Sequence, residues 1–194
     1  MHLVEHLEQY CGPIVEGWKT DPDGNPRPYQ IVRLQNGPVQ GTTTYSTLGL
    51  SEIPLRSQWT GDVVRLELLM VARKNAVPRN LPAVLQQVAD EAVSRNSAYL
   101  RGEVIGPRGS LFDHSTMTAL LVCNAAYFPE GFETCVVPHL GRVIMAWLVP
   151  ITQDEAVYVT GQGWDKFEAL LIRDNPDLLD FQRPSIVVGS GAIN

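Results

Sequence analysis

The stretch LVPITQDEAVY, residues 148–158, runs from a strongly apolar segment straight into the start of a helix. Thr152 is placed to cap the first amides of that helix, and Glu155 can reach back to the cap amide, which together make a capping box. Each side chain in this turn has a structural task, and no nucleophile, metal ligand or phosphate cradle lies in it. The stretch therefore predicts a strand-to-helix junction and favours a binding module over an enzyme.

Apolar periodicity on both sides of this junction predicts an α+β fold with a mixed β-sheet flanked by helices. Residues 63–71 alternate, with Leu66 and Leu68 on one face and Arg65 and Glu67 on the other, which predicts a half-buried strand. Further elements are predicted as helices at residues 2–11, 82–97 and from 164 to 171, central strands at 117–123 and 142–149, and a closing strand at 183–188.

Composition indicates one folded domain spanning residues 1–194. The hydrophobic fraction is 44% and the charged fraction 19%, and no linker or low-complexity tract divides the chain. A formal net charge of -6 disfavours a nucleic-acid partner, because phosphate contacts need clustered Lys and Arg. We expect a surface suited to solubility or to a basic protein partner.

The expected location is the cytoplasm. Cys11, Cys123 and Cys135 are an odd number of cysteines without metal-type spacing, which fits reduced thiols better than a disulfide framework. The first residues lack a basic region followed by an apolar core, and no apolar run approaches the roughly 20 residues of a membrane span. We expect no membrane partner.

The motif search predicts no metal and no cofactor. His2 and His6 share a helix face at the spacing of a metal pair, but no third ligand accompanies them. Residues 21–25 resemble the start of a calcium loop, but Pro26 stands where that loop needs glycine.

Two nucleophile and histidine combinations keep a hydrolase open as an alternative. Asp113, His114 and Ser115 are adjacent in sequence, but successive side chains on a strand point to opposite faces. Cys135 and His139 make a second potential pair, although each cysteine is more often a small buried hydrophobic residue. Such a hydrolase requires the fold to assemble its site, and the preferred interpretation is that the chain is not an enzyme.

Four ordered segments resemble the suppressor-of-fused domain family. They are TYSTLGLS at 44–51, VRLELL at 64–69, the junction at 148–158, and residues 180–186 with Arg183-Pro184-Ser185. They span about residues 29 to 188, which is most of the chain. The resemblance implies a mixed sheet with flanking helices and a protein that works by binding other proteins.

The resemblance also implies a specific role and a candidate contact. In the animal Hedgehog-pathway member two domains clasp a peptide, whereas a one-domain chain is similar to stand-alone bacterial members, which are thought to include immunity proteins against polymorphic toxins. Gly102 and Glu103 resemble the pair of a glycine and an acidic residue whose carboxylate contacts the bound peptide in that animal protein. Glu91 stands where the family's peptide-binding helix carries an aromatic residue, so the peptide specificity need not transfer.

The leading hypothesis is thus a non-catalytic protein-binding module, an immunity protein that neutralises a toxin, with Glu91 and Glu103 as candidate partner contacts. Beside the hydrolase, a third hypothesis is a scaffold domain that binds peptides through an exposed sheet edge.

Overall fold

The computed structural model describes residues 2–20 and 24–187, in which helices and strands are interspersed along the chain. The helices are α1 (Leu3–Cys11), α2 (Leu81–Arg95), α3 (Gln153–Gln162) and α4 (Trp164–Asp174), with a 3-10 turn at Leu50–Glu52. The strands are β1 (Ile14–Thr20), β2 (Pro26–Leu34), β3 (Thr42–Leu48), β4 (Leu55–Arg56), β5 (Val63–Val64), β6 (Leu66–Arg73), β7 (Val104–Ile105), β8 (Met117–Cys123), β9 (Thr134–Val137) and β10 (Gly141–Thr152).

Two structural units share strand β10. The first comprises residues 1–100 and 123–147, and the second residues 101–122 and 148–194. In the first unit the strand order is β1-β2-β3-β6-β10, with β9 also paired to β10. Strands β6 and β10 run parallel, whereas β3 and β6 run antiparallel, so the sheet is mixed as predicted.

Helices α1 and α2 pack on the sheet of the first unit. Helix α2 contacts β2, β3 and β6 through an apolar stripe that includes Val84, Leu85 and Val88. Its first turn contains a proline, which is tolerated there because a backbone amide at that position has no partner within the helix. The helix is capped at its end by Asn96, which adopts the left-handed conformation. The predicted helix over residues 82–97 is therefore confirmed, with its end shifted by a residue or two.

The second unit contains β7, β8 and the end of β10, together with α3 and α4. Strand β7 pairs antiparallel with β8, and α3 contacts both β7 and α4. The junction at residues 148–158 has the predicted form: β10 ends at Thr152, α3 begins at Gln153, and both halves of the capping box between Thr152 and Glu155 are present.

The prediction of a half-buried strand at residues 63–71 was wrong. Strand β6 is buried on both faces from Leu66 to Ala72, and Glu67 has no exposed surface. The carboxylate of Glu67 accepts hydrogen bonds from the hydroxyls of Thr47 and Ser51 at 2.5 and 2.7 Å and from the backbone amides of residues 49–51 at 3.1 to 3.3 Å. These donors let an acidic residue occupy a core position that binary patterning assigns to solvent.

The closing strand predicted at residues 183–188 is also wrong for the described residues 183–187, which are irregular. The amide of Ile186 donates to the carboxylate of Glu155 at 3.0 Å, and Pro184 has no amide to donate. The segment is therefore held by a side chain on α3 instead of by a neighbouring strand. Val188 lies outside the described residues.

Candidate binding surface

Glu103 lies in the second unit, directly before β7, in a turn whose backbone is fixed by β8. The amide of Gly102 donates to the carbonyl of Val122 at 2.8 Å, and the amide of Val122 donates to the carbonyl of Glu103 at 2.9 Å. Glu103 is half-buried. The backbone on either side of Glu103 is therefore hydrogen-bonded to β8, and this fixes the position of the turn that carries the carboxylate.

Gly102 is a glycine for two physical reasons. Its φ is +87°, a left-handed conformation that favours a residue without a side chain. A Cβ at this position would also lie 3.0 Å from the Cβ of Trp164, at the start of α4. The residue before Glu103 is therefore packed so closely against α4 that a methyl group there would require Trp164 to shift by a few tenths of an ångström.

Arg101, at the start of the same turn, contacts two side chains of α4. Its guanidinium lies 5.1 Å from the ring centroid of Trp164 and forms an ion pair with Glu168 at 2.6 Å. Stacking of a guanidinium over an indole is attractive, and the exposed ion pair adds orientation more than energy. Arg101, Trp164 and Glu168 therefore fix the turn that carries Glu103.

These three supporting residues were not identified from the sequence. The pattern placed Trp164 in the apolar stripe of the last helix, where it is half-buried, but gives no information on its contact with Gly102. A glycine directly before the acidic residue was the only available signal, and it does not indicate which element it packs against.

Glu91, the other candidate contact, lies in the first unit on α2. Its side chain is 13% exposed and forms an ion pair with Arg95, one turn later, at 2.6 Å, while Arg95 is 69% exposed. On α2 the guanidinium of Arg95 is therefore more accessible than the carboxylate of Glu91.

The Cys135 and His139 pair is not assembled in this fold. Cys135 is 2% exposed, and burial raises the pKa of its thiol. The imidazole of His139 is largely exposed and lies 3.0 Å from the carboxylate of Glu52. Within residues 2–20 and 24–187 the structure gives the Cys135 thiol no histidine partner.

The serine of the Asp113-His114-Ser115 run has a structural role. Its hydroxyl donates to the carbonyl of Phe181 and accepts from the amide of Met117. Both hydrogen-bonding functions of Ser115 are therefore used by neighbouring backbone, and His114 adopts a left-handed φ of +57° beside it.

Within the described residues, no group of three or more His, Cys, Asp or Glu side chains is arranged to hold a metal ion. His6 is buried, with its Nε2 atom 2.9 Å from the carbonyl oxygen of Phe132, and its ring stacks on that phenyl group. No helix in the described part is long and apolar enough to cross a membrane.

Strand β1, at one end of the strand order, makes an irregular edge. Its pairing with β2 is interrupted between Ile14 and Glu16 and again between Trp18 and Thr20. Such irregularities bend an edge strand and hinder the addition of another strand. This edge is therefore poorly suited to the peptide pairing that the scaffold hypothesis requires.

Comparison with known proteins places this geometry in a family. The family model for suppressor of fused protein (SUFU) matches residues 25–184. The chain belongs to the suppressor-of-fused family. It is 26% identical over 160 residues, 81% of each chain, to a protein of Bacillus subtilis (strain 168) named Immunity protein YqcF.

Solved structures with the same fold come from bacteria and animals. A suppressor-of-fused homologue of Neisseria gonorrhoeae has a TM-score of 0.73 at 16% identity, over 96% of this chain and 95% of that one. A chain of the Sufu-Fu complex has a TM-score of 0.68 at 17% identity, over 95% and 90%. Drosophila Suppressor of Fused has a TM-score of 0.68 at 18% identity, over 95% of this chain and 50% of that one. The mixed sheet with flanking helices is thus the fold of this family.

Proposed function

We propose that this suppressor-of-fused protein is a non-catalytic binding module that acts in the cytoplasm as an immunity protein, neutralising a toxin of a polymorphic toxin system. The observation that carries the proposal is the 26% identity to Immunity protein YqcF over 160 residues. Complexes are also known in the family, because one similar fold is that of the Sufu-Fu complex.

In the second unit, Glu103 is the proposed contact for such a partner. Glu103 sits on a turn fixed by β8 and by Trp164, and a fixed turn loses little conformational entropy when a partner binds. The net charge of -6 favours a basic toxin surface, since complementary charge raises the association rate and the specificity. Binding that weakens as salt concentration rises supports this part of the proposal.

Co-expression with a toxin encoded by the neighbouring gene tests the function directly. We expect cells to survive only when both proteins are made, and the two proteins to copurify. A toxin that stays fully lethal, together with no complex on copurification, overturns the proposal.

Charge removal tests the contact at Glu103. Glu103→Gln is expected to weaken toxin binding about 10-fold, the effect of losing one well-placed charged contact. Glu130→Gln is the matched control, because it removes the same charge from an exposed position in the first unit. Equal affinities of the two variants would contradict the assignment of Glu103 to the binding surface, but they would not contradict the immunity function.

A further inference from the structure

Trp59 is a largely exposed tryptophan. Its side chain is 78% exposed, whereas Trp147 is 2% exposed in the core of the same unit. Tryptophan is highly buried on average, and it is enriched where proteins bind one another. Trp59 lies in the loop between β4 and β5, and residues 55–64 are named here the Trp59 hairpin.

The loop that carries Trp59 is internally ordered. The hydroxyl of Ser57, which is 4% exposed, accepts hydrogen bonds from the amides of Trp59 and Thr60, both at 3.2 Å. The amide of Gly61 donates to the carbonyl of Ser57 at 2.9 Å, and the guanidinium of Arg56 donates to the carbonyl of Gly61 at 2.9 Å. The backbone of the turn that carries the indole is therefore already ordered by hydrogen bonds and would lose little conformational freedom on binding.

The base of the Trp59 hairpin is joined to the end of α2. The amide of Arg56 donates to the carbonyl of Asn96 at 3.3 Å, and the amide of Ala98 donates to the carbonyl of Arg56 at 2.8 Å. A two-stranded hairpin is marginally stable by itself, and these bonds fix it to the first unit.

Arg56 and Val63 add charge and apolar surface to the same hairpin. They lie directly opposite each other in the β4 and β5 pairing, so their side chains share a face of the hairpin. Val63 is 52% exposed and Arg56 is exposed. Within residues 2–20 and 24–187 the Arg56 guanidinium donates to a carbonyl and forms no ion pair with a carboxylate.

We propose that the Trp59 hairpin is a docking surface for the toxin, with Trp59 filling an apolar socket whose rim carries a carboxylate that pairs with Arg56. The inference rests on the proposed immunity function and adds a contact surface to it. An exposed tryptophan and an exposed arginine on one ordered hairpin match the composition of interface hot spots, where Trp and Arg are enriched. Its order before binding lowers the entropic cost of association.

Calorimetric titration of a purified, catalytically inactive toxin domain into three forms of this protein tests the anchor. Trp59→Ala is expected to raise the Kd by about 10-fold or more, as truncation of a hot-spot residue does. Ile172→Ala is the matched control, because Ile172 is 76% exposed, and its Kd is expected to stay within about two-fold of wild type, as for most surface contacts. Unfolding midpoints of all three forms should agree, since both residues are exposed.

The outcomes separate the two proposals. Wild-type protein that fails to bind the toxin overturns the immunity function and this inference together. Wild-type binding with an unchanged Kd for Trp59→Ala overturns only the docking surface.

Two substitutions of Arg56 test the rim carboxylate. Arg56→Gln and Arg56→Glu both remove the guanidinium and introduce side chains of equal length, so a difference between their affinities reports mainly the added negative charge. Arg56→Glu is expected to bind about 5-fold or more weakly than Arg56→Gln, because like charges repel across an interface. Equal affinities overturn the assignment of a carboxylate to the rim of the socket.

Discussion

Arg183 and Glu155 form a buried, two-pronged ion pair that ties the last described segment to α3. The two guanidinium nitrogens of Arg183 lie 2.6 and 3.0 Å from the two carboxylate oxygens. The same carboxylate accepts the amides of Thr152 and Ile186 at 2.9 and 3.0 Å. Glu155 therefore closes the capping box and anchors the chain after residue 183 at one point.

Breaking this pair should destabilise the protein strongly. Arg183→Ala leaves a carboxylate without exposed surface and without its cation, which typically costs about 3–5 kcal/mol. Arg173→Ala is the matched control, because Arg173 makes a comparable two-pronged contact with Asp174 while 65% exposed, and solvent screening should leave its loss with little effect on stability. Urea unfolding of both variants measures the difference, and similar costs would contradict the role of burial.

Replacement of Glu67 by glutamine should also destabilise the fold. The carboxylate accepts hydrogen bonds from two hydroxyls and from backbone amides of residues 49–51, whereas a glutamine amide turns one of its acceptors into a donor that faces other donors. We expect Glu67→Gln to lose about 1–3 kcal/mol of unfolding free energy, the cost of buried donors left unpaired. An unchanged urea midpoint would show that the donors find other acceptors.

The stability advantage of wild type over Glu67→Gln should depend on pH. Burial raises the pKa of Glu67 above its ordinary value of 4.5, and hydrogen bonds from Thr47 and Ser51 offset part of that effect. The native state then holds this proton more tightly than the unfolded state. The stabilisation that comes from this tighter proton binding is fully present below pH 4.5, and it is lost as the pH rises through the higher pKa of Glu67 in the native state.

Urea unfolding of both proteins between about pH 4 and pH 8 measures this dependence, because only wild type titrates at this position. The advantage of wild type should shrink as the pH rises. An advantage that grows with pH would mean that the hydrogen bonds outweigh burial.

The thiol of Cys11 should react slowly in the native protein. Burial raises its pKa to about 11, so only about 0.1% is thiolate at pH 8. Reaction with a disulfide reagent at pH 8 should be far slower for native than for urea-unfolded protein. A Cys11→Ser variant identifies its share of the signal, and rapid native labelling of Cys11 would contradict its burial.

The sequence was most informative where local chemistry and tertiary structure agree. Thr152 and Glu155 meet across a single turn, so their capping box could be predicted from spacing alone. Central strands were predictable for a similar reason, because residues 117–123 and 142–149 are apolar on both faces. Burial of Glu67 could not be predicted, since the groups that satisfy it come from residues 47–51, on another strand and the turn after it.

The candidate site shows the same division. Glu103 was predicted through a family resemblance, but its support by Arg101, Trp164 and Glu168 depends on contacts between residues more than 60 positions apart. The cation of Arg101 and the indole of Trp164 have no local pattern that connects them. Trp59 carries a local signal, because a tryptophan is unusual in a polar turn beside Gln58, Thr60 and Gly61. It was nevertheless not identified from the sequence.

Substitution of Gly102 should separate backbone strain from packing at the turn that carries Glu103. Gly109 is the matched control: its φ of +78° is close to the +87° of Gly102, but a Cβ added there meets no atom within 4 Å. Gly109→Ala should therefore cost only the strain of an alanine at positive φ, about 1–2 kcal/mol. Gly102→Ala carries the same strain and also forces its methyl group against Trp164, so we expect a loss larger by about 1–3 kcal/mol.

Toxin affinities of the Gly102→Ala and Gly109→Ala variants test whether the packing of Gly102 also matters for binding. If the packing of Gly102 on Trp164 positions Glu103, then Gly102→Ala should weaken binding to the toxin under conditions where the variant remains folded, and Gly109→Ala should not. Near-ultraviolet circular dichroism, which reports the surroundings of the tryptophans, verifies folding before each titration. Equal losses of stability in the two variants would show that α4 yields to the methyl group, and the turn would then lack the rigid support that makes Glu103 a favourable contact.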